Sequence, residues 1–181
     1  MRLDTPIRTD RLLLRTLDAA DATERYLAWM RDPETTRYLE SRLVEHSHES
    51  LVQFIEACNR GDTDLLLGIC LPDGRHIGNI KLGPVNAFHR HAAVGLLIGE
   101  RDQRGAGYAT EAIAAVTAHA FRVVGLEKLF AGCYATNVGS ARAFLKAGWS
   151  EEGRSKGHWS FEGRREDNIQ LGITRLEWAS R

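Results

Sequence analysis

The residues best suited to chemistry lie in one run, Leu96-Leu97-Ile98-Gly99-Glu100-Arg101-Asp102-Gln103-Arg104-Gly105-Ala106-Gly107-Tyr108-Ala109-Thr110. An apolar stretch stops, a polar loop with three glycines follows, and an apolar-periodic helix starts at Tyr108. The first N–H groups of a helix lack internal partners and carry partial positive charge. Gly105 and Gly107 let the main chain approach a ligand, and Arg104 adds a charge that can fork onto two oxygens. Together these features make an anion site suited to a pyrophosphate. The alternative is that the glycines only permit a tight strand-to-helix turn; the coincidence of arginine, two spaced glycines and a helix start favours phosphate binding over it.

Other phosphate motifs fit less well. Gly105-x-Gly107-x-x-Thr110 is close to the dinucleotide pattern G-x-G-x-x-G but lacks its third glycine. Six residues separate Ile98 from Gly105, whereas that pattern turns directly from strand into glycine. Glu127 stands at about the spacing of a ribose-binding acid, but before its strand rather than at its end. No Gly-Lys-Ser/Thr follows, which excludes a P-loop.

The elements that position this loop follow from hydrophobic period. Leu12-Leu13-Leu14 reads as a short strand. A helix carrying Tyr26, Leu27, Trp29 and Met30, capped by Asp18 or Asp21, ends at Asp32-Pro33-Glu34, because proline disfavours helix in the residue before it. Leu51, Phe54, Ile55 and Cys58 recur at helical spacing and predict a helix from about Ser47 to Cys58. Leu65–Cys70 and His76–Leu82 form a hairpin across Pro72-Asp73-Gly74, and Ala92–Ile98 is the next strand. Tyr108–Val124 predicts a helix burying Ala109, Ile113, Val116, Ala120 and Val123. Lys128–Tyr134 predicts a strand, and Ser140–Ala147 a short helix closed by Gly148. Strands at His158–Phe161 and Asp167–Ile173 flank Glu162-Gly163. The order describes a mixed α/β or α+β fold, and with no repeat or linker the 181 residues read as one domain, 1–181.

Composition excludes several classes. Lys plus Arg and Asp plus Glu are 24 each, and this zero balance argues against a nucleic-acid partner. Cys58, Cys70 and Cys133 are odd in number and far apart, with no C-x-x-C pair, which argues for a reducing cytoplasm over a disulfide framework or zinc site. Met1-Arg2-Leu3-Asp4 carries no apolar signal core, and the apolar stretch Leu65–Leu71 is far short of a membrane span. His89-Arg90-His91 has no further ligands at metal spacing and reads as a polar strand edge, so no metal is expected.

A known family matches these segments. Arg104-Gly105-Ala106-Gly107-Tyr108-Ala109 fits Q/R-x-x-G-x-G/A, the coenzyme A pyrophosphate loop of the GNAT acetyltransferases. Arg11-Leu12-Leu13-Leu14-Arg15 resembles the opening strand of its Rim-like branch, which includes the acetyltransferases of ribosomal-protein N-termini. Trp29 with Asp32 resembles that branch's first helix and bend. Asn137-Val138-Gly139-Ser140, with Phe144, Lys146, Gly148 and Trp149, resembles its N-x-x-S…K-x-G-F segment. The resemblance covers nearly the whole chain, and it is the order of the segments that makes it specific.

The resemblance implies a mostly antiparallel sheet, flanked by helices, in which two central parallel strands splay apart. These would be Ala92–Ile98 and Lys128–Tyr134. It implies acetyl-CoA as co-substrate, with its pyrophosphate on Arg104, Gly105, Ala106, Gly107, Tyr108, Ala109 and Thr110. Main chain at Leu97, Ile98 and Gly99 would meet the pantetheine arm and the acetyl carbonyl, and Asn137 would also contact coenzyme A. The implied reaction is direct attack of a primary amine on the thioester. An alkylammonium of pKa about 10.4 must first lose its proton, at a cost of about 4–5 kcal/mol at pH 7, so a base assists. Glu100, closing the strand, and His158, with its near-neutral ring, are the candidates. Many family members protonate the departing thiolate with a tyrosine. Phe144 occupies that neighbourhood and has no hydroxyl, so the branch resemblance assigns the role to Ser140. Residue types alone equally allow Asn137 to cap the helix with Ser140 in its first turn.

The acceptor is the least specified part. The stretch His76–Asn86 resembles members acting on amino sugars, and a protein N-terminus is the alternative. The pocket is expected between the first two helices and the last hairpin, at Trp29, His158 and Trp159. A catalytically silent acyl-CoA-binding module would keep the glycine loop without needing Ser140, and a nucleotide-dependent oxidoreductase is disfavoured by the loop length. The resemblance also admits a homodimer.

Overall fold

The computed structural model describes residues 1–181. The chain runs β1 (Ile7–Arg8), β2 (Leu13–Thr16), α1 (Glu24–Arg31), α2 (Pro33–Thr36), α3 (His48–Arg60), β3 (Leu65–Cys70), β4 (His76–Asn86), β5 (His91–Ile98), α4 (Tyr108–His119), β6 (Lys128–Tyr134), α5 (Val138–Lys146), β7 (Ser150–Phe161), β8 (Arg164–Thr174) and α6 (Arg175–Ala179). The strands form one eight-stranded sheet in the order β1-β2-β3-β4-β5-β6-β8-β7. Neighbours are antiparallel except β5 and β6, which run parallel at its centre. This is the mixed, helix-flanked architecture that the sequence implied.

Both sheet faces are covered. On one, α4, the turn that continues it and α5 bury Ile113, Val116, Phe121 and Phe144 against Leu14, Leu67, Ile80 and Leu129. On the other, α1 and α3 bury Tyr26, Leu27, Leu51 and Ile55 against Leu17 and Leu66. That explains the continuous apolar run of β3: Leu65, Leu67 and Ile69 serve one core and Leu66 the other. Each such leucine contributes about 1.5–3 kcal/mol by burial. The Trp149 indole N–H, buried at the α5–β7 corner, donates to Thr117 Oγ1 at 3.1 Å, so the larger core holds no stranded donor there. All three cysteines are buried and unpaired.

Local signals act at several boundaries. Ser47 caps α3, its Oγ accepting from the Ser50 N–H at 3.1 Å, and Gly148 ends α5 with φ +92°. Others differ from expectation. Asp18 caps only a 3-10 turn over Ala19–Asp21, while Thr23 caps α1. The helix begun at Tyr108 widens into a π turn over Ala120–Val124. A wider turn advances side chains by a smaller angle, so Phe121 is buried while Val123 swings off the packed face and is 70% exposed. Phe54 is likewise 42% exposed, because the packed face of α3 is narrower than its apolar period. The sheet-edge strand β7 starts at Ser150 rather than at His158, and β1 and α6 carry no strong apolar signal.

Candidate active site

The parallel pair supplies the central feature. Only three rungs join it, His91 to Lys128, Ala92 to Leu129 and Ala93 to Phe130. Beyond them β5 stays with β4 as far as Ile98, opposite Gly78, and β6 stays with β8 as far as Tyr134, opposite Asn168. The strands therefore splay, and their facing edges carry main-chain groups without a strand partner. Leu97, Ile98 and Gly99 stand at the open end. Gly99 and Glu100 both donate from their N–H groups to the Ile77 carbonyl, at 2.9 and 3.2 Å. The Trp29 ring packs where a Gly99 side chain would stand, and its Nε1–H donates to Glu100 Oε1 at 3.0 Å. Arg25 reaches the same oxygen at 3.7 Å.

The loop that follows is tied to the α1–α2 corner. Asp32 caps α2, accepting from the Thr35 N–H at 3.0 Å, and Arg101 donates to Asp32 at 2.7 Å. The Thr35 hydroxyl first, and then Arg101, bring the Asp32 carboxyl down to about 2. Arg104 turns inward, donating to the Ile98 carbonyl at 3.1 Å and to Thr35 Oγ1 at 2.7 Å, with Glu34 3.5 Å away. In this arrangement its guanidinium holds the loop. Because the Asp32 carboxyl lies below its usual range in the folded chain, its contribution is present above about pH 4 and is lost as pH falls towards 2. Asp32→Asn keeps a capping side chain but removes the charge. Urea unfolding should place the variant below wild type at pH 6, with the gap closing near pH 2. A gap that stays constant with pH would show that the carboxyl does not act through its charge.

The cation beside the glycines is Arg11, which sequence reasoning used only as a family marker. It donates to the Ala106 carbonyl at 2.9 Å, stands 4.7 Å over the Tyr108 ring, and lies 3.4 Å from where a Gly107 Cβ would be. Glu111 holds it there at 2.7 Å and also accepts from Thr9 Oγ1 at 2.6 Å. Burial pushes the Glu111 carboxyl up, but these hydrogen bonds outweigh it and keep it below the ordinary range. Gly105 and Gly107 both take left-handed backbone, φ +78° and +88°, which only glycine adopts readily. No side chain caps α4 at Gly107, and no atom stands within 4 Å of an ideal Gly105 Cβ. Open backbone, an uncapped helix start at Tyr108, Ala109 and Thr110, and an adjacent arginine fit a pyrophosphate.

Across the splay, Asn137 caps α5 by accepting from the Ser140 N–H at 3.2 Å, so the capping role is present. Ser140 is half-buried. Burial pushes the Cys133 thiol up. Phe144 is buried against Trp149, with ring centroids 4.7 Å apart. His158 is exposed on the edge strand and meets Trp159 edge-on at 4.4 Å.

The aromatic residues expected at the acceptor pocket make packing contacts. Trp29 is occupied with Gly99, and Trp159 stacks on Tyr134 at 5.1 Å within an aromatic cluster that includes Tyr38 and Phe161. A cavity of about 460 Å³ lies between α1, α3 and the strand face, bounded by Met30, Leu39, Phe54, Leu96 and Leu97 among others. A more polar cavity of about 740 Å³ adjoins it and shares Met30, Val44, Glu45 and His46. No group of three or more ligating side chains gathers anywhere, and no helix is long and apolar enough to cross a membrane.

A splayed parallel pair thus lies beside an open glycine loop, and comparison with known proteins identifies the family. Residues 11–150 match the acetyltransferase (GNAT) domain, and the chain belongs to that family. It is therefore an acetyl-CoA-dependent acetyltransferase. It is 31% identical over 150 residues to the uncharacterized N-acetyltransferase YoaA of Bacillus subtilis (strain 168), covering 81% of this chain and 84% of that protein. Its fold is that of the spermidine N-acetyltransferase from Vibrio cholerae crystallised with CoA and spermine, with TM-score 0.84 and 19% identity over 94% of this chain and 99% of that one. It is also that of a GNAT-family acetyltransferase from Bacillus anthracis, with TM-score 0.80 and 22% identity over 94% and 98% of the two chains.

Proposed function

We propose that the chain is an N-acetyltransferase that moves the acetyl group of acetyl-CoA to a primary amine by direct attack. The observation that carries this is the three-rung β5–β6 ladder, which opens between the uncapped start of α4 and the Asn137–Ser140 corner. Acetyl-CoA supplies an activated thioester. Main chain from Gly105 to Thr110, with Arg11 beside it, holds the pyrophosphate. The free edge at Leu97, Ile98 and Gly99 holds the pantetheine arm and the acetyl carbonyl. Glu100 has Oε1 fixed by Trp29 and offers Oε2 as base for the amine proton, directly or through water. His158, exposed beside Trp159, is the other candidate for this role.

The amine nitrogen bonds to the acetyl carbon as the carbon–sulfur bond breaks, and the Ser140 hydroxyl gives its proton to the leaving sulfur. A solvent proton then restores the serine. The Rim-like segment Asn137–Ser140 supports this role, and buried Phe144 cannot fill it. A single domain over 1–181, working in the cytoplasm, accords with the three unpaired cysteines.

Ser140→Ala tests the assignment and separates an enzyme from a silent binding module. The hydroxyl acts late in the reaction, so turnover should fall at least about tenfold while coenzyme A affinity by calorimetry stays within about twofold. An unchanged kcat would return Ser140 to a purely capping turn.

A further inference from the structure

We propose that the acceptor is a small primary amine carried on an apolar body, an arylalkyl or alkyl amine, and that Gly95 sets the depth available to that body. This deepens the reading above and rests on it. The cavity beside β5 has about 460 Å³, within the range of roughly 300–1,000 Å³ usual for small-molecule sites. Leu96 and Leu97 belong to its wall and to the strand that borders the splay, so an amine reaching the thioester leaves its remainder here. Met30, Leu39 and the part-exposed Phe54 present apolar surface to that remainder.

Charge and hydrogen bonding select against the other amines. Three polar groups on the wall are already engaged: Lys81 Nζ donates to Asp64 at 2.8 Å, Asn79 Oδ1 pairs with His76 at 2.8 Å, and Ser50 Oγ donates to the Ser47 carbonyl at 2.9 Å. A sugar would surrender hydroxyl hydration for few new bonds. A polyamine would bring further ammonium groups towards Lys81, with Arg31 and Arg42 on the adjoining cavity. Glu45 is the one carboxylate on either wall.

Gly95 faces open space: no atom lies within 4 Å of an ideal Cβ, and its φ is outside the range that demands glycine. A side chain there enters the cavity without straining the strand.

The test measures coenzyme A thiol release at saturating acetyl-CoA with 2-phenylethylamine, hexylamine, glucosamine, spermidine and a short peptide with a free N-terminus. Calorimetry of each amine with the coenzyme A-saturated protein supplies a second readout. The two apolar amines should exceed the others at least about tenfold in kcat/KM. Gly95→Val should lower kcat/KM for 2-phenylethylamine by about tenfold or more and weaken its binding, with coenzyme A affinity and Tm unchanged. Gly95→Ala should fall between, and it replaces valine if that variant does not fold. Preference for glucosamine, spermidine or peptide overturns the apolar-body proposal and leaves amine acetylation standing, as does a Gly95→Val enzyme with unchanged kcat/KM. Coenzyme A binding without thiol release from any amine overturns the underlying reading as well.

Discussion

Replacing Gly107 with valine is expected to weaken coenzyme A binding by about two orders of magnitude or more while leaving the domain folded. Gly107 caps α4 at φ +88°, where a residue with a Cβ is disfavoured by about 1–2 kcal/mol and a β-branched one by more. The chain escapes by rotating the residue out of the left-handed region, which turns the first N–H groups of α4 away from their common direction. Loss of two charge-assisted hydrogen bonds at about 1.5–3 kcal/mol each accounts for the affinity change. The loop is exposed, and the substituted side chain would meet only the Arg11 guanidinium, at 3.4 Å, so the folding penalty stays small. Circular dichroism and calorimetry with coenzyme A decide the matter. Wild-type affinity would move the pyrophosphate elsewhere, and an unfolded variant would make the glycine a purely structural requirement.

Gly78→Ala should act in the opposite sense, through the scaffold rather than the ligand. An ideal Cβ at Gly78 would lie 2.2 Å from the Leu97 carbonyl oxygen and 3.0 Å from the Ile98 Cα. Both are main chain at the open end of β5, and neither can rotate aside. The strand must shift at the point where the acetyl carbonyl is to be met. Overpacking of this kind costs about 1–3 kcal/mol, which lowers Tm by about 2–12 °C in a chain of this size. Turnover should fall further than stability explains, by at least about tenfold at a temperature where the variant is fully folded. A variant with native Tm and native kcat would show that β5 carries no positional constraint there.

Much of this arrangement was legible in the chain. The glycine loop announced itself because its chemistry is local: the left-handed residues, the helix start and the preceding apolar strand are contiguous. The hairpin at Pro72-Asp73-Gly74 and the helix starting near Ser47 were equally plain. What escaped is non-local. Arg11 and Glu111 lie a hundred positions apart and meet only through the folded sheet, so no spacing rule would pair them. Arg104 was read from its neighbours in sequence, but Thr35 and Glu34 at another corner decide where it points. The first half of β7, with Glu151, Glu152, Arg154 and Lys156, borders solvent at the sheet edge and offers no apolar alternation. Trp29 and Trp159 drew attention as large aromatics, and each makes packing contacts, whereas the cavity lined by Gly95 is marked in the sequence only by a missing side chain.

Cys58, Cys70 and Cys133 have a practical consequence. Each is buried, and burial is the main force raising its thiol above the usual range. Thiolate is the form that attacks disulfides and electrophilic dyes, so the folded chain is a poor thiol reagent. Coenzyme A released at each turnover is then the sulfur that a chromogenic disulfide captures, and the folded enzyme adds little background of its own. The same inertness protects the protein from mixed disulfides with its product as that product accumulates.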